Sequence, residues 1–128
     1  MSSNVVELVT RAKAQVENLT PEQVIAETAE GAVLVDLREP AELTTGGQIA
    51  GAVHAPRGML EFYADLSSPY HREEFDPSRR TILYCASGGR SALGALALAE
   101  LGYADVAHLD GGMNAWLASG HPVTRSAG

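Results

Sequence analysis

The pattern of apolar and polar positions divides the chain into segments that alternate between helical and extended periods. Residues 4–16 carry Val5, Val6, Leu8, Val9, Ala12 and Val16 at helical spacing behind Asn4, a residue suited to capping. Thr20-Pro21-Glu22-Gln23 then places a hydroxyl cap, a first-turn proline and a capping-box glutamine in order. The spacing predicts a helix to about Glu30, closed by Gly31. Residues 32–35 form a continuous, partly β-branched apolar run ending at Asp36, which reads as a strand buried on both faces.

A short helix is predicted over 39–44 from Pro40, broken by Gly46-Gly47, and a short strand over 52–55, stopped by Pro56. Met59, Leu60, Phe62 and Tyr63 give residues 58–65 an apolar helical side. Residues 67–80 are polar, hold two prolines and predict a surface connection with one helical turn. A second buried strand is predicted over 81–84, a helix over 91–101 closed by Gly102, and a last strand over 105–109. Gly111-Gly112 and a helix carrying Trp116 close the series. Strands alternate with helices and no linker interrupts them, so the expectation is one α/β domain over 1–128 with a mostly parallel sheet. Its core runs from about 19 to 123, with 1–18 as an N-terminal helical extension.

Composition narrows the function. With 128 residues, 45% hydrophobic and 20% charged, the chain is an ordinary globular domain that buries roughly two-thirds of its unfolded surface without a staple. Its net charge is −7 and its longest basic run is Arg79-Arg80, so neither nucleic acid nor an anionic membrane is an expected partner. The single cysteine allows no internal disulfide and no resolving thiol, which fits a reducing compartment. The first ten residues lack the basic start and apolar stretch of a signal peptide, and no run approaches the roughly 20 apolar residues of a membrane span. A cytoplasmic location is expected. The histidines at 54, 71, 108 and 121 show no ligand spacing, so no metal and no cofactor are expected.

The chemistry concentrates where the second buried strand runs into Cys85-Ala86-Ser87-Gly88-Gly89-Arg90 and then a helix. Ligands of α/β sheets bind beyond the carboxyl ends of strands, where loop N–H groups and the positive end of a helix favour an anion. Cys85 there is a candidate nucleophile whose thiolate the loop amides, the helix start and Arg90 would favour. Gly88 and Gly89 let the backbone curl around a bound group, and Arg90 offers a planar fork suited to an oxyanion. Ser87 either donates its hydroxyl to bound sulfur or initiates the turn. An inert core cysteine would need none of these neighbours. The following helix is apolar nearly all round, so it must be largely buried, and Gly94, costing about 1 kcal/mol relative to Ala, predicts close packing there.

Four segments in register resemble one family. Residues 35–43, with Asp36-Leu37-Arg38-Glu39, resemble the Asp-x-Arg-Glu segment of rhodanese domains. Residues 47–56 are similar to their Gly-His-Ile-x-Gly-Ala-x-x-x-Pro stretch, with Gln48 in place of the histidine, a structural hydrogen-bonding change. The Cys85 to Ser91 segment resembles their active loop, and residues 109–116 their closing Gly-Gly-x-x-x-Trp motif. The resemblance implies a three-layer fold with a five-stranded parallel sheet flanked by helices. It also implies a thiosulfate sulfurtransferase-type enzyme, carrying sulfane sulfur as a Cys85 persulfide from a small-molecule donor to cyanide, a thiol or a protein thiol. Ala86, Ser87, Gly88, Gly89 and Arg90 would bind the substrate through their amides. A non-turnover sulfur carrier or a rhodanese-like interaction module is the alternative. Related phosphatases and arsenate reductases place five residues between cysteine and arginine; the four here imply a cradle sized for sulfur. Members active on thiosulfate often hold basic residues within the loop, and here Arg90 is its one cation.

Around this loop, Asp36 and Glu42 are placed to orient Arg90 or Arg38, or to serve as an ordinary strand-end cap and a surface acid. Arg57 either adds charge at the mouth or lies on the surface, and residues 67–80 either line the rim or are plain surface. Trp116 is expected in the core.

Overall fold

The computed structural model describes residues 2–125; Met1 and residues 126–128, the outer ends of the domain read from sequence, lie outside the described residues. In chain order the elements are α1 (Val5–Gln15), β1 (Glu17–Leu19), α2 (Pro21–Ala29), β2 (Val33–Asp36), α3 (Pro40–Gly46) and β3 (Val53–His54). A 3-10 turn, Arg57–Met59, leads into α4 (Leu60–Ala64), followed by β4 (Thr81–Tyr84), α5 (Gly89–Glu100), β5 (Val106–Leu109) and α6 (Gly112–Ala118). The five strands form one parallel sheet in the order β1-β5-β4-β2-β3. Helices cover both faces, so the expected three-layer α/β architecture is present.

The capping chemistry read from sequence operates. Asn4 Oδ1 accepts the Glu7 N–H at 2.9 Å, and Thr20 and Gln23 exchange both capping-box hydrogen bonds. Alternation along the strands sorts side chains into two cores. Val33, Val35, Leu83 and Cys85 face one side with Leu60, Ala95 and Leu98. Leu34, Ile82, Tyr84, Ala107 and Leu109 face the other with Val24, Met113 and Trp116. Each fully buried aliphatic side chain contributes about 1.5–3 kcal/mol of transfer free energy.

Helix α5 lies between the sheet and α1, which explains why it is apolar nearly all round. A Cβ on Gly94 would stand 2.9 Å from a Leu37 methyl, 3.1 Å from one of Leu60 and 3.2 Å from one of Leu83, so close packing is why glycine sits there. Helix α1 is no loose extension, since Ala12 is completely buried.

Three expectations change. Strand β1 was not read from the sequence pattern; it is three residues long at the sheet edge, and only Leu19 among them is buried. Residues 67–80 contain hydrogen-bonded turns and no helical turn, and they are not plain surface, because Phe75 is buried in the core. The helix expected over 91–101 begins two residues earlier, at Gly89. Trp116 is buried as expected, and its indole N–H donates to the Pro122 carbonyl at 2.8 Å, tying down the C-terminal segment.

Candidate active site

Strand β4 is central, so Cys85, the residue after it, sits in the middle of the carboxyl edge of the sheet. This is the position at which an open α/β sheet presents a ligand site. Cys85 is buried, at 1% exposure, and its Sγ accepts the Gly88 N–H at 3.2 Å. Gly88 has φ +106°, the left-handed conformation that turns the loop into α5 and aims this amide back at the sulfur. Ala86 and Gly89 are half-buried and Ser87 is exposed at the loop tip.

The loop is held from behind by the Gly111-Gly112 turn. Met113 N–H donates to the Cys85 carbonyl at 2.8 Å and Asn114 N–H to the Ala86 carbonyl at 3.0 Å. These two bonds hold the start of the loop from behind, while the Gly88 amide faces the sulfur. Gly112 has φ +56°, and a Cβ on it would collide with the Cys85 carbonyl oxygen and lie 2.8 Å from the Ala86 carbonyl carbon. The glycine pair of the closing motif is therefore part of the loop's mounting.

Arg90 and Glu42 meet in a bidentate pair, NH1 to Oε1 at 2.7 Å and NH2 to Oε2 at 3.0 Å. The Arg90 guanidinium holds the Glu42 carboxyl down to about 2, so the pair persists through mildly acidic solution. The Cys85 sulfur also bears on Arg90 and helps keep it charged, after the larger effect of Glu42. Glu42 thus fixes Arg90 beside the loop. Asp36 does not take part in that pair. It binds Arg38 instead, through the backbone N–H at 2.9 Å and the guanidinium at 2.9 and 3.1 Å, all buried under Tyr84. Arg38 NH2 also donates to the Gly47 carbonyl at 2.7 Å, so this pair braces the turn after α3. Arg57 pairs with Glu61 at 2.7 Å. Arg72, in the 67–80 connection, donates to the His54 carbonyl at 3.0 Å and ties that segment to the end of β3.

Ser91 stands on the sulfur and His108 stands behind Ser91, and neither was read from the sequence as a site residue. Ser91 Oγ lies 3.6 Å from Cys85 Sγ and 2.9 Å from His108 Nδ1, and His108 Nε2 lies 2.7 Å from Asn18 Oδ1. Ser91 and His108 are fully buried. Burial pushes the His108 imidazole below its ordinary value; Asp110 raises it somewhat and Lys13 lowers it. No spacing rule joins residues 18, 91 and 108. The readable signal was the lone polar residue in the strand Val106-Ala107-His108-Leu109, which alternation turns toward α5. Among the described residues, no group of three or more His, Cys, Asp or Glu side chains is arranged to hold a metal ion.

Comparison with known proteins places this geometry. A family model, the Rhodanese-like domain, matches residues 20–119. The chain is 32% identical over 106 residues to the thiosulfate sulfurtransferase GlpE of Pseudomonas entomophila, covering 80% of this chain and 86% of that protein. It superposes with TM-score 0.90 and 36% identity on a Rhodopseudomonas palustris protein of unknown function described as a "Possible Tyrosine Phosphatase", covering 97% of this chain and 96% of that one. The polysulfide-sulfur transferase of Wolinella succinogenes aligns with TM-score 0.76 and 29% identity, covering 94% and 87%. With a cysteine loop mounted on the central strand, its arginine clamped by Glu42, and the family's model matched over most of its length, this chain belongs to the rhodanese-like domain family.

Proposed function

We propose that this chain is a sulfurtransferase that carries sulfane sulfur on Cys85, with a small anionic donor of the thiosulfate type. The observation that carries this reading is the sulfur of Cys85 accepting the Gly88 N–H inside a loop of four residues between Cys85 and Arg90. The thiolate attacks the outer sulfur of thiosulfate, the S–S bond breaks, and sulfite leaves with the electron pair. The amides from Ala86 to Arg90 and the clamped guanidinium receive the resulting persulfide charge. A nucleophilic acceptor then attacks the outer sulfur: cyanide leaves as thiocyanate, or a thiol becomes a persulfide, and the Cys85 thiolate is restored. With one cysteine in the chain the acceptor must be external, and a free buried thiol suits a reducing, cytoplasmic setting.

The phosphatase description attached to the Rhodopseudomonas protein supplies the competing reading. A tetrahedral phosphoryl group needs a wider cradle than four residues close. Incubation with thiosulfate, followed by intact-mass measurement, tests the choice. We expect a gain of one sulfur atom that cyanide removes and that Cys85→Ser abolishes. No gain of sulfur, together with hydrolysis of p-nitrophenyl phosphate, would establish the phosphatase reading instead. No gain and no hydrolysis would point to a protein-fed carrier or a silent interaction domain.

A further inference from the structure

We propose that Ser91, His108 and Asn18 form a proton relay behind Cys85, in which His108 takes the thiol proton through the Ser91 hydroxyl and Asn18 decides which ring nitrogen receives it. The inference rests on the sulfurtransferase reading for its purpose, but its geometry stands alone. The Asn18 Nδ2 donates to the carbonyls of Lys13 and Val16, both at 3.0 Å, which fixes the amide's orientation. Its Oδ1 can only accept, so His108 Nε2, 2.7 Å away, must carry a hydrogen. In the neutral ring Nδ1 is then a bare acceptor. Ser91 has one proton to give, and Nδ1 at 2.9 Å is nearer than the Gly88 carbonyl at 3.3 Å. The lone pairs of Ser91 Oγ are left facing Cys85 Sγ at 3.6 Å, where they accept the S–H. The two donors between cysteine and histidine, the thiol and the hydroxyl, both point toward the ring.

One concerted step balances. The S–H bond of Cys85 breaks as a new O–H bond forms on Ser91, and the original Ser91 proton moves to His108 Nδ1. The products are a thiolate, an unchanged hydroxyl that now donates to sulfur, and an imidazolium held by Asn18. The charged groups facing the ring are Lys13 of α1 and Asp110 after β5, themselves paired at 3.4 Å, and the thiolate it has just created. Ser91 comes from α5 and Asn18 from β1, both uncharged; Arg90 of α5 bears on the sulfur and is held by Glu42. Burial keeps the ring neutral at rest, which leaves it free to act as the base. Ser91 touches the reacting sulfur, while His108 and Asn18 are positioning residues that act through it.

The test is alkylation of Cys85 by iodoacetamide, a neutral reagent that reads the thiolate, followed across pH. Ser91→Ala and His108→Asn should each slow alkylation about tenfold near neutrality and displace its profile toward higher pH. Ser91→Thr, which keeps the hydroxyl, should retain the wild-type profile. Ring 15N chemical shifts of His108 in the wild-type protein should show a neutral resting ring with its hydrogen on Nε2. An unshifted alkylation profile in both Ser91→Ala and His108→Asn, or a resting hydrogen on Nδ1, overturns the relay. Because the shift measurement uses the unaltered chain, it decides even where a variant fails to fold. Sulfur loading of the same wild-type sample separates the two readings. Profiles that shift without any sulfur gain leave the relay standing and remove the sulfurtransferase, whereas sulfur gain with unshifted profiles does the reverse.

Discussion

At the scale of single residues, the site depends on a glycine packed against the back of the cysteine loop. Gly112 combines a left-handed φ with backbone contact, since any Cβ there meets the Cys85 carbonyl. Gly112→Ala adds the strain of a positive φ, about 1–3 kcal/mol, to a collision with backbone that cannot swing aside. We expect a loss of at least about 2 kcal/mol in urea unfolding, and in the surviving folded fraction a weakened Gly88-to-sulfur contact seen as slower sulfur loading. A variant as stable and as readily loaded as wild type would show that the turn does not mount the loop. Here the sequence was informative: Gly111-Gly112 stood out as a motif, and Cys85 to Arg90 as a loop, because glycine, cysteine and arginine each carry unusual local physics. His108 and Ser91 did not stand out. Their roles come from a distance of 2.9 Å across 17 positions, and no local pattern encodes that separation.

At the scale of elements, legibility followed burial and length. Strands β2 and β4 were plain because all four residues of each are buried, which forces continuous apolar runs. Strand β1 has one buried residue and lies at the edge, so its sequence, Glu-Asn-Leu, shows neither alternation nor a run. What holds it is partly charge. Arg80, just before β4, donates to Glu17 of β1 at 2.8 Å, Glu27 of α2 at 2.6 Å and Asp105 before β5 at 2.8 Å. This hub lies at the amino ends of β4 and β5, opposite the loop. Arg80→Met would leave three carboxylates gathered without a cation. Because the arginine side chain is only 19% exposed and serves three partners, its loss should exceed that of an isolated surface pair, at about 1–2 kcal/mol. The difference should shrink in high salt, where screening weakens both the network and the repulsion. Sulfur loading per folded molecule should not change. Urea unfolding at two salt concentrations checks the first part and intact mass the second; altered loading would mean that the two ends of β4 are coupled.

At the scale of the whole molecule, the buried imidazole ties stability to pH. Unfolded, His108 takes up a proton near pH 6.5; folded, burial holds its value lower. Between those two values the unfolded chain binds more protons than the folded one, so stability falls as pH falls through that window and is complete above about 6.5. The carboxylates act at lower pH. Glu42, held to about 2 by Arg90, contributes fully above about 4.3 and loses its contribution as pH falls toward about 2. That contribution stays below about 1 kcal/mol, because the two side chains are 36% and 34% exposed and solvent screens them. We therefore expect the urea midpoint of the wild type to drop first on acidification below about pH 6.5, before the carboxylates titrate. His108→Asn, which cannot take a proton, should lack this first step. Persulfide on Cys85 would place lasting negative charge at the far end of the Ser91 hydrogen bond and favour the protonated ring within the fold. Loading with thiosulfate should then raise the folded-state value of His108, narrow the window and flatten the first step in the wild type alone. If loaded and unloaded wild type lose stability equally through that window, the ring does not sense the sulfur, and histidine and cysteine are neighbours without coupling.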